Sequence, residues 1–337
     1  MLRRVSAITA IALLSASCGK DQNNPFGPLN ASRAPSSQAA IAFVSGAWAA
    51  DPGEPRELLA VNSDGSTLER LTGCTQAAQP CDVVQFAFAP NRNQIAAVRS
   101  TPKAQDGAST LYFMDLARSV EKQLFSQKRA SVVDWSADGS FLIYVSPGTT
   151  TSAVDDLWLC QKDGSQDQNL TNTTAIRERS VRIDPSASTA AFERIDETGV
   201  GRIYLFQETP ITSGPATGPV LPNTPFVVGA DADPAFSPTA SELVFRRLTG
   251  IGNGGLGTWD LLAVKLDGSG LRTVAEGPVY RGAPDWGKDG IVFVETDAAA
   301  GESRLVVVQP DGSGRKVVRT EASGFRMGAP RWIPAAN

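Results

Sequence analysis

The 337-residue chain contains no histidine. That absence excludes Ser-His-Asp and Cys-His catalysis and removes the commonest zinc ligand. Any chemistry would fall to carboxylates, Tyr, Lys or Arg. Cysteine is scarce, at four residues, and no metal-binding spacing is present. No basic stripe stands out against a formal net charge of −4, so nucleic acid is not an expected partner. Neither a Gly-x-Ser-x-Gly elbow nor a phosphate-binding Walker A sequence occurs. The length would allow two domains, but all-β barrels and propellers routinely exceed that prior as single units.

The first eighteen residues bear on the compartment. Met1-Leu2-Arg3-Arg4 is a positive start, and Val5 to Leu14 is an uncharged, mostly apolar stretch. The stretch matches a signal-peptide core and is too short to span a bilayer. Leu14-Ser15-Ala16-Ser17-Cys18 then places small residues before a cysteine. This resembles a bacterial lipobox, although the large apolar residue sits one place further from the cysteine than the pattern prefers. The resemblance implies that 1–18 is a lipoprotein signal peptide, with Cys18 lipidated as the mature N-terminus. The expected location is the periplasmic side of the outer membrane or the cell surface, with the membrane touched by the lipid anchor only. Residues 19–39 are rich in Asn, Pro, Ser and Ala without periodicity and read as a flexible tether. As a coil it would span roughly 25 Å, enough to clear a headgroup layer.

From residue 40 to 337 the chain repeats itself. Six segments share a bulky residue, a turn and then an apolar strand. They are led by Phe88, Trp135, Ile183, Phe236, Trp286 and Trp332, which by subtraction lie 47, 48, 53, 50 and 46 residues apart. That period, filled with short strands and no helical pattern, predicts an all-β six-bladed propeller of four-stranded antiparallel blades. One repeat reads through as strands at Val132 to Trp135, Phe141 to Val145, Asp156 to Cys160 and Gln168 to Leu170. Asp-Gly pairs at Asp64-Gly65, Asp163-Gly164, Asp267-Gly268 and Asp311-Gly312 are expected as two-residue hairpin loops with positive φ at both positions.

The two ends explain each other. The last repeat supplies only a first strand around Pro330 to Ile333, and the folded part begins with a second-strand pattern at Ile41 to Val44. Pairing the N-terminal strands with the C-terminal strand completes one blade and leaves no open sheet edge.

The segments Asp134-Trp135-Ser136-Ala137-Asp138-Gly139 and Ala283-Pro284-Asp285-Trp286-Gly287-Lys288-Asp289-Gly290 resemble the TolB-like β-propeller repeat family. Leu157-Trp158-Leu159 and the Asp-Gly-Ser turns before a closing strand fit the same pattern. The resemblance covers residues 41 to 337, and the chain is expected to be a monomer. The repeat led by Ile183 departs most, lacking the aromatic and carrying a Pro-rich insertion from Glu208 to Pro225. The family's namesake has a separate α/β domain before its propeller, for which this chain leaves no room.

Several motifs carry less than they first offer. Gly250-Ile251-Gly252-Asn253-Gly254-Gly255 fits a dinucleotide fingerprint, but a strand pattern from Trp259 to Leu266 follows where a helix is needed. It reads as a loop, and no cofactor is expected. Cys74 and Cys81 bracket a short polar loop, which in an oxidising compartment reads as a disulfide. Cys160 reads as a small buried core residue. Asp155, Asp156, Asp231 and Asp233 read as solvated loop acids rather than calcium ligands, and no metal site is expected.

One pattern points to a site. Arg129, Arg177, Arg281 and Arg326 each lie five or six residues before a leading bulky residue, beside Tyr280 in one repeat. In a propeller those positions open the innermost strands, so four blades would aim an arginine at one rim of the channel. Arginine forks suit carboxylates and phosphates. The strand-two-to-three loops Gly46 to Pro55, Thr101 to Ala108, Pro147 to Val154 and Arg247 to Thr258 lie on that same face. Two functions are open: a non-enzymatic envelope module binding a protein or peptide through this face, or a hydrolase or lyase acting on an anionic saccharide.

Overall fold

A computed structural model describes residues 32–47, 56–73, 82–100, 109–126, 128–147, 154–173, 176–195, 197–207, 231–252, 256–321 and 325–335. Cys18, Cys74, Cys81 and the segment 208–230 lie outside the described residues.

Strands follow one another with the predicted period. The first three are β1 (Ile41–Ala47), β2 (Glu57–Val61) and β3 (Leu68–Arg70). A full blade follows with β4 (Asp82–Phe88), β5 (Gln94–Ser100), β6 (Thr110–Asp115) and β7 (Val120–Gln123). The next comprises β8 (Val132–Trp135), β9 (Phe141–Pro147), β10 (Asp155–Gln161) and β11 (Gln168–Asn169). Three strands are described in the fourth blade: β12 (Arg177–Ile183), β13 (Thr189–Ile195) and β14 (Gly201–Gln207). The fifth has β15 (Asp231–Phe236), β16 (Glu242–Ile251), β17 (Gly257–Lys265) and β18 (Arg272–Ala275). In the sixth the inner strand comes in two pieces, β19 (Tyr280–Arg281) and β20 (Asp285–Gly287). Pro284 lies between them and has no N–H to give a ladder. Then come β21 (Gly290–Asp297), β22 (Glu302–Val308), β23 (Lys316–Glu321) and finally β24 (Phe325–Trp332).

The closure is as the sequence predicts. β24 pairs antiparallel with β1, setting Trp332 opposite Ile41 and Met327 opposite Ser45. The first blade therefore has the order β24-β1-β2-β3, and the ring is six antiparallel blades. Six apolar clusters form among the described residues, one at each blade-to-blade contact. The alternation of each strand sends successive side chains to the two neighbouring blades. In β1, Ile41 and Phe43 pack toward the sixth blade while Ala42 and Val44 pack toward the second.

Side chains set the turns. The residue after the leading bulky position is Ser136, Asp184 or Ser237 in three blades. Its side chain accepts the N–H of Phe141, Thr189 or Glu242 at 3.0–3.1 Å. This bond fixes the tight return from strand one to strand two.

The Asp-Gly turns differ from the expectation. At Asp163-Gly164 the N–H of Gly164 bonds the carbonyl of Gln161 at 2.9 Å, and Gln161 N–H bonds Ser165 carbonyl at 2.8 Å. Gly164 has φ +87°, while Asp163 is not left-handed. Here, at Asp267-Gly268 and at Asp311-Gly312 the loop has three residues, a type I turn followed by a glycine bulge, whereas at Asp64-Gly65 the N–H of Asn62 bonds the carbonyl of Thr67 and the loop has four. The aspartate acts through its side chain, accepting the N–H of Ser165 at 2.9 Å.

Candidate functional site

Six repeats in one chain provide their own alignment, and the channel is where they disagree. Immediately before the leading bulky residue stand Ala87, Asp134, Arg182, Ala235, Asp285 and Arg331. The four charged side chains come from four blades and meet across the axis. Arg182 lies 4.0 Å from Asp134 and 3.6 Å from Asp285. Arg331 lies 3.8 Å from Asp134 and 3.4 Å from Asp285. The two alanines fall in the blades each arginine must reach past, which leaves room for the span. Asp134 also accepts the N–H of Ile183, and Asp285 that of Trp332, each at 2.8 Å from the next blade. Gln85 holds Val133 N–H and Ser180 holds Asp233 N–H in the same manner. Burial pushes the Asp285 carboxyl up to about 6, against the pull of Arg182, and pushes Asp134 up as well. This ring lies toward the ends of the inner strands and spans the channel there.

Sequence reasoning missed the ring. The signal was present in the aligned repeats, one position ahead of the residue used to define them.

The other end, where the inner strands begin, holds the predicted arginines. Arg129 and Arg177 are exposed. Arg177 faces Asp155 at 3.9 Å. Arg326 is partly buried beside Tyr280, and loss of solvent lowers its guanidinium to about 10. Arg281 is not part of the rim. Only 4% of its side chain is exposed. It donates to the carbonyls of Trp259 at 2.8 Å and Gly277 at 3.1 Å, and lies 3.3 Å from Glu295. The physical reason is register. Arg281 stands five residues before its leading residue, whereas Arg129, Arg177 and Arg326 stand six, and a one-residue step turns a strand side chain to the opposite face.

A second departure from the repeat lies on the wall below this mouth. At the fourth residue of the strand-two core, counted from Ile41 and its equivalents, four blades place Val44, Val98, Val145 and Val294. The fourth and fifth blades place Glu193 and Arg246 instead. Glu193 accepts a bond from Ser180 at 3.1 Å. Burial and then the charge of Asp233 push its carboxyl up to about 7. Arg246 contacts Asp233 at 2.5 Å, donates to Tyr280 Oη at 3.3 Å and lies 4.1 Å over the Trp259 ring. Burial opposes its charge, but Asp233, Tyr280 and Glu193 outweigh it and hold the guanidinium protonated. A polar track thus runs from Ser180 through Glu193, Asp233 and Arg246 to Tyr280.

The remaining motifs resolve locally. Asp156 is fully buried and bonded by Asn169 at 2.8 Å and Thr173 at 2.9 Å, while Asp231 pairs with Arg247 at 2.6 Å. With Asp233 on Arg246, three of the four expected loop acids are structural partners, since strands rather than loops carry them. Cys160 is free and fully buried, and burial pushes its thiol up to about 12. Gly250 and Ile251 belong to β16, while Asn253, Gly254 and Gly255 of the glycine fingerprint lie outside the described residues. The segment expected as a long loop from Arg247 to Thr258 is mostly the β16–β17 hairpin.

No protein-family model and no curated protein sequence matches the chain. Solved structures do. TolB from Acinetobacter baumannii superposes with a TM-score of 0.67 at 16% identity, covering 89% of this chain and 68% of that one. A structure described as putative TolB from Agrobacterium tumefaciens gives 0.59 at 13% identity, covering 88% of this chain and 99% of that one. The nidogen/laminin complex contains a chain matching at 0.62 and 12% identity, with 88% and 98% covered. Likeness at these identities concerns the fold, and by its fold this chain is a TolB-like six-bladed β-propeller.

Proposed function

We propose that the chain is a non-enzymatic binding protein of the cell envelope, which takes an acidic segment of a protein or peptide partner at the arginine-bearing mouth. The observation that carries this reading is the asymmetry of the channel. One end is spanned by paired charges that leave no net charge to offer. The other presents Arg129, Arg177 and the neighbouring Arg179 exposed, with Arg326 and Tyr280 behind them. Positive side chains at a concave mouth attract and orient an anionic segment. The TolB-like fold supports a protein-binding role.

Export, lipidation of Cys18 and a disulfide between Cys74 and Cys81 belong to the same proposal and rest on the sequence. Replacing Cys18 by Ser should release a folded propeller into the soluble fraction. An unacylated, soluble wild type would refute the anchor. For the mouth, partners are captured from envelope extracts by crosslinking and their affinity is measured. The double variant R177E/R326E should weaken binding and flatten its salt dependence. Unchanged affinity there, with loss on changing residues beside Asp64 or Asp311, would put the interface on the opposite face.

A second reading, an enzyme acting on an anionic saccharide, is favoured by one observation. Glu193, raised to about 7, and Asp233, held by Arg246, are carboxyls in unlike environments beside Tyr280. Such pairs divide acid and base roles. Turnover of uronate oligosaccharides that is lost in Glu193→Gln would establish it.

A further inference from the structure

Between the second and third blades, away from the channel, lies an open groove of about 540 Å³. Its walls include Leu124, Phe125, Pro147, Trp158 and Asp167. Lys128 reaches into it. The ammonium Nζ sits over the Trp158 ring at 3.0 Å from the centroid, with Tyr144 at 4.9 Å and Phe125 at 5.3 Å. It bonds Asp167 at 2.7 Å and Tyr144 Oη at 2.5 Å. Tyr144 Oη in turn donates to Asp167. Phe125 and Tyr144 stack with centroids 5.6 Å apart.

The aligned repeats indicate which parts are particular to this blade. At the Tyr144 position the other blades have Phe43, Ala97, Phe192, Phe245 and Phe293. Only here does the buried ring carry a hydroxyl, and it is spent on Asp167. At the strand-three position paired with it, the others have Leu59, Tyr112, Tyr204, Leu262 and Val306 where this blade has Trp158. Arg99 and Arg194 cover the rings of Tyr112 and Tyr204 from strand two of their own blades. In this blade strand two offers no cation, and Lys128 arrives from the connection between blades.

We propose that the groove is a binding site for an organic ammonium ligand, built as an aromatic cage that Lys128 fills from within until the ligand displaces it. The Trp158 ring face, the Phe125 ring, the Tyr144 ring with its hydroxyl presented and a carboxylate converge on one point, and aromatic rings beside an acid are the chemistry that recognises organic ammonium groups. The structure already shows an ammonium seated there. Without Lys128 the cage carries the single negative charge of Asp167, complementary to a monocation. Exchange is feasible because Lys128 is seated at the expense of its hydration: loss of solvent lowers its amine from the ordinary value despite Asp167. A primary ammonium regains strong hydration on leaving, whereas a quaternary ammonium is weakly hydrated and loses little on entering. The groove beyond the cage accommodates the rest of the ligand against Leu124 and Pro147.

The probe is choline, titrated calorimetrically into the full chain, with its uncharged isostere 3,3-dimethylbutan-1-ol as the comparison. Lys128→Ala should bind choline at least tenfold more tightly than wild type. Asp167→Asn added to it should remove that gain, and the isostere should bind neither protein measurably. Choline affinity equal in wild type and Lys128→Ala, no saturable binding in Lys128→Ala, or equal binding of the isostere would each overturn the proposal. A measurement on wild type stands should the variant not fold. Saturating choline should raise the acylation rate of the Lys128 amine by an N-hydroxysuccinimide ester several-fold, and an unchanged rate refutes displacement. R177E/R326E should bind choline as wild type does, which separates this site from the mouth.

Discussion

Replacing Asp285 by Asn tests what the channel ring contributes. The ring invites the expectation that losing one carboxylate costs about 3–5 kcal/mol, as for a broken buried ion pair. The structure points the other way. The Asp285 carboxyl is raised from 3.8 to about 6 because burial outweighs the attraction of Arg182 and the N–H of Trp332. The folded state therefore holds the proton more tightly than the unfolded chain. The associated stability is fully present below about pH 4 and is lost as pH rises through about 6. The shift corresponds to about 3 kcal/mol between the two limits. An asparagine has the shape of the protonated acid, and its oxygen can still accept the Trp332 N–H. At pH 7 the variant should be as stable as wild type or more so, by up to about 3 kcal/mol, while below about pH 4 the two should converge. Urea unfolding from pH 4 to 7.5 measures this. Glu193 and Glu178, both raised to about 7, shift stability in the same sense but are common to both proteins, so the difference between the curves reports Asp285 together with Asp134, the acid it faces across the ring. A loss of several kcal/mol at pH 7 in D285N, at unchanged m-value, would refute the reasoning.

Deleting residues 329–337 should abolish cooperative unfolding and produce aggregation, read by light scattering. The deletion removes the Trp332–Ile41 and Arg331–Ala42 pairs of the β24–β1 ladder, the Arg331 partner of both ring carboxylates and the Trp332 indole, whose N–H bonds the carbonyl of Gly290 at 3.0 Å. A truncated chain as stable and monomeric as the whole would contradict the closure. Gly65→Ala should cost roughly 1–3 kcal/mol in urea unfolding. The residue has φ +83°, and a Cβ would lie 2.0 Å from the carbonyl oxygen of Val318 in the neighbouring blade. Gly199→Ala, at φ +80° with open space around it, should cost only about 1 kcal/mol, and equal losses would remove the steric argument.

The architecture was legible because each blade repeats one instruction. A bulky residue anchors strand one, a polar side chain such as Ser136 or Asp184 caps the following turn, and an apolar strand comes next. Ile183 in place of an aromatic did not hide its blade, since the strand pattern after it is intact. The turn at Asp163-Gly164 was read as too short because the pair alone does not tell a two-residue loop from a type I turn ending in a glycine bulge. Arg281 was misplaced because spacing was read to within one residue, and that single step decides between rim and interior. The cage around Lys128 was beyond sequence reading altogether. Its rings come from Phe125, Tyr144 and Trp158 on different strands, and only folding brings them to one point. The channel ring lay in between, since its four charges were visible but their meeting required the ring to close.

The pairing of β24 with β1 sets an order of events. Every other strand finds its partner among neighbours in the chain, so blades two to six can form locally as their residues become available. The first blade cannot, because Ile41 and Trp332 must find each other across nearly the whole sequence. Contacts of such separation form late, after the intervening chain has become compact enough to shorten the search. Until then, β1 exposes one unpaired edge and the sixth blade lacks the Trp332 backbone N–H on Asp285. The half-built channel therefore holds two carboxylates, Asp134 and Asp285, against the single Arg182 until the last strand brings Arg331. An arrested chain ending before β24 should be a target for chaperones and proteases in a way the finished molecule is not.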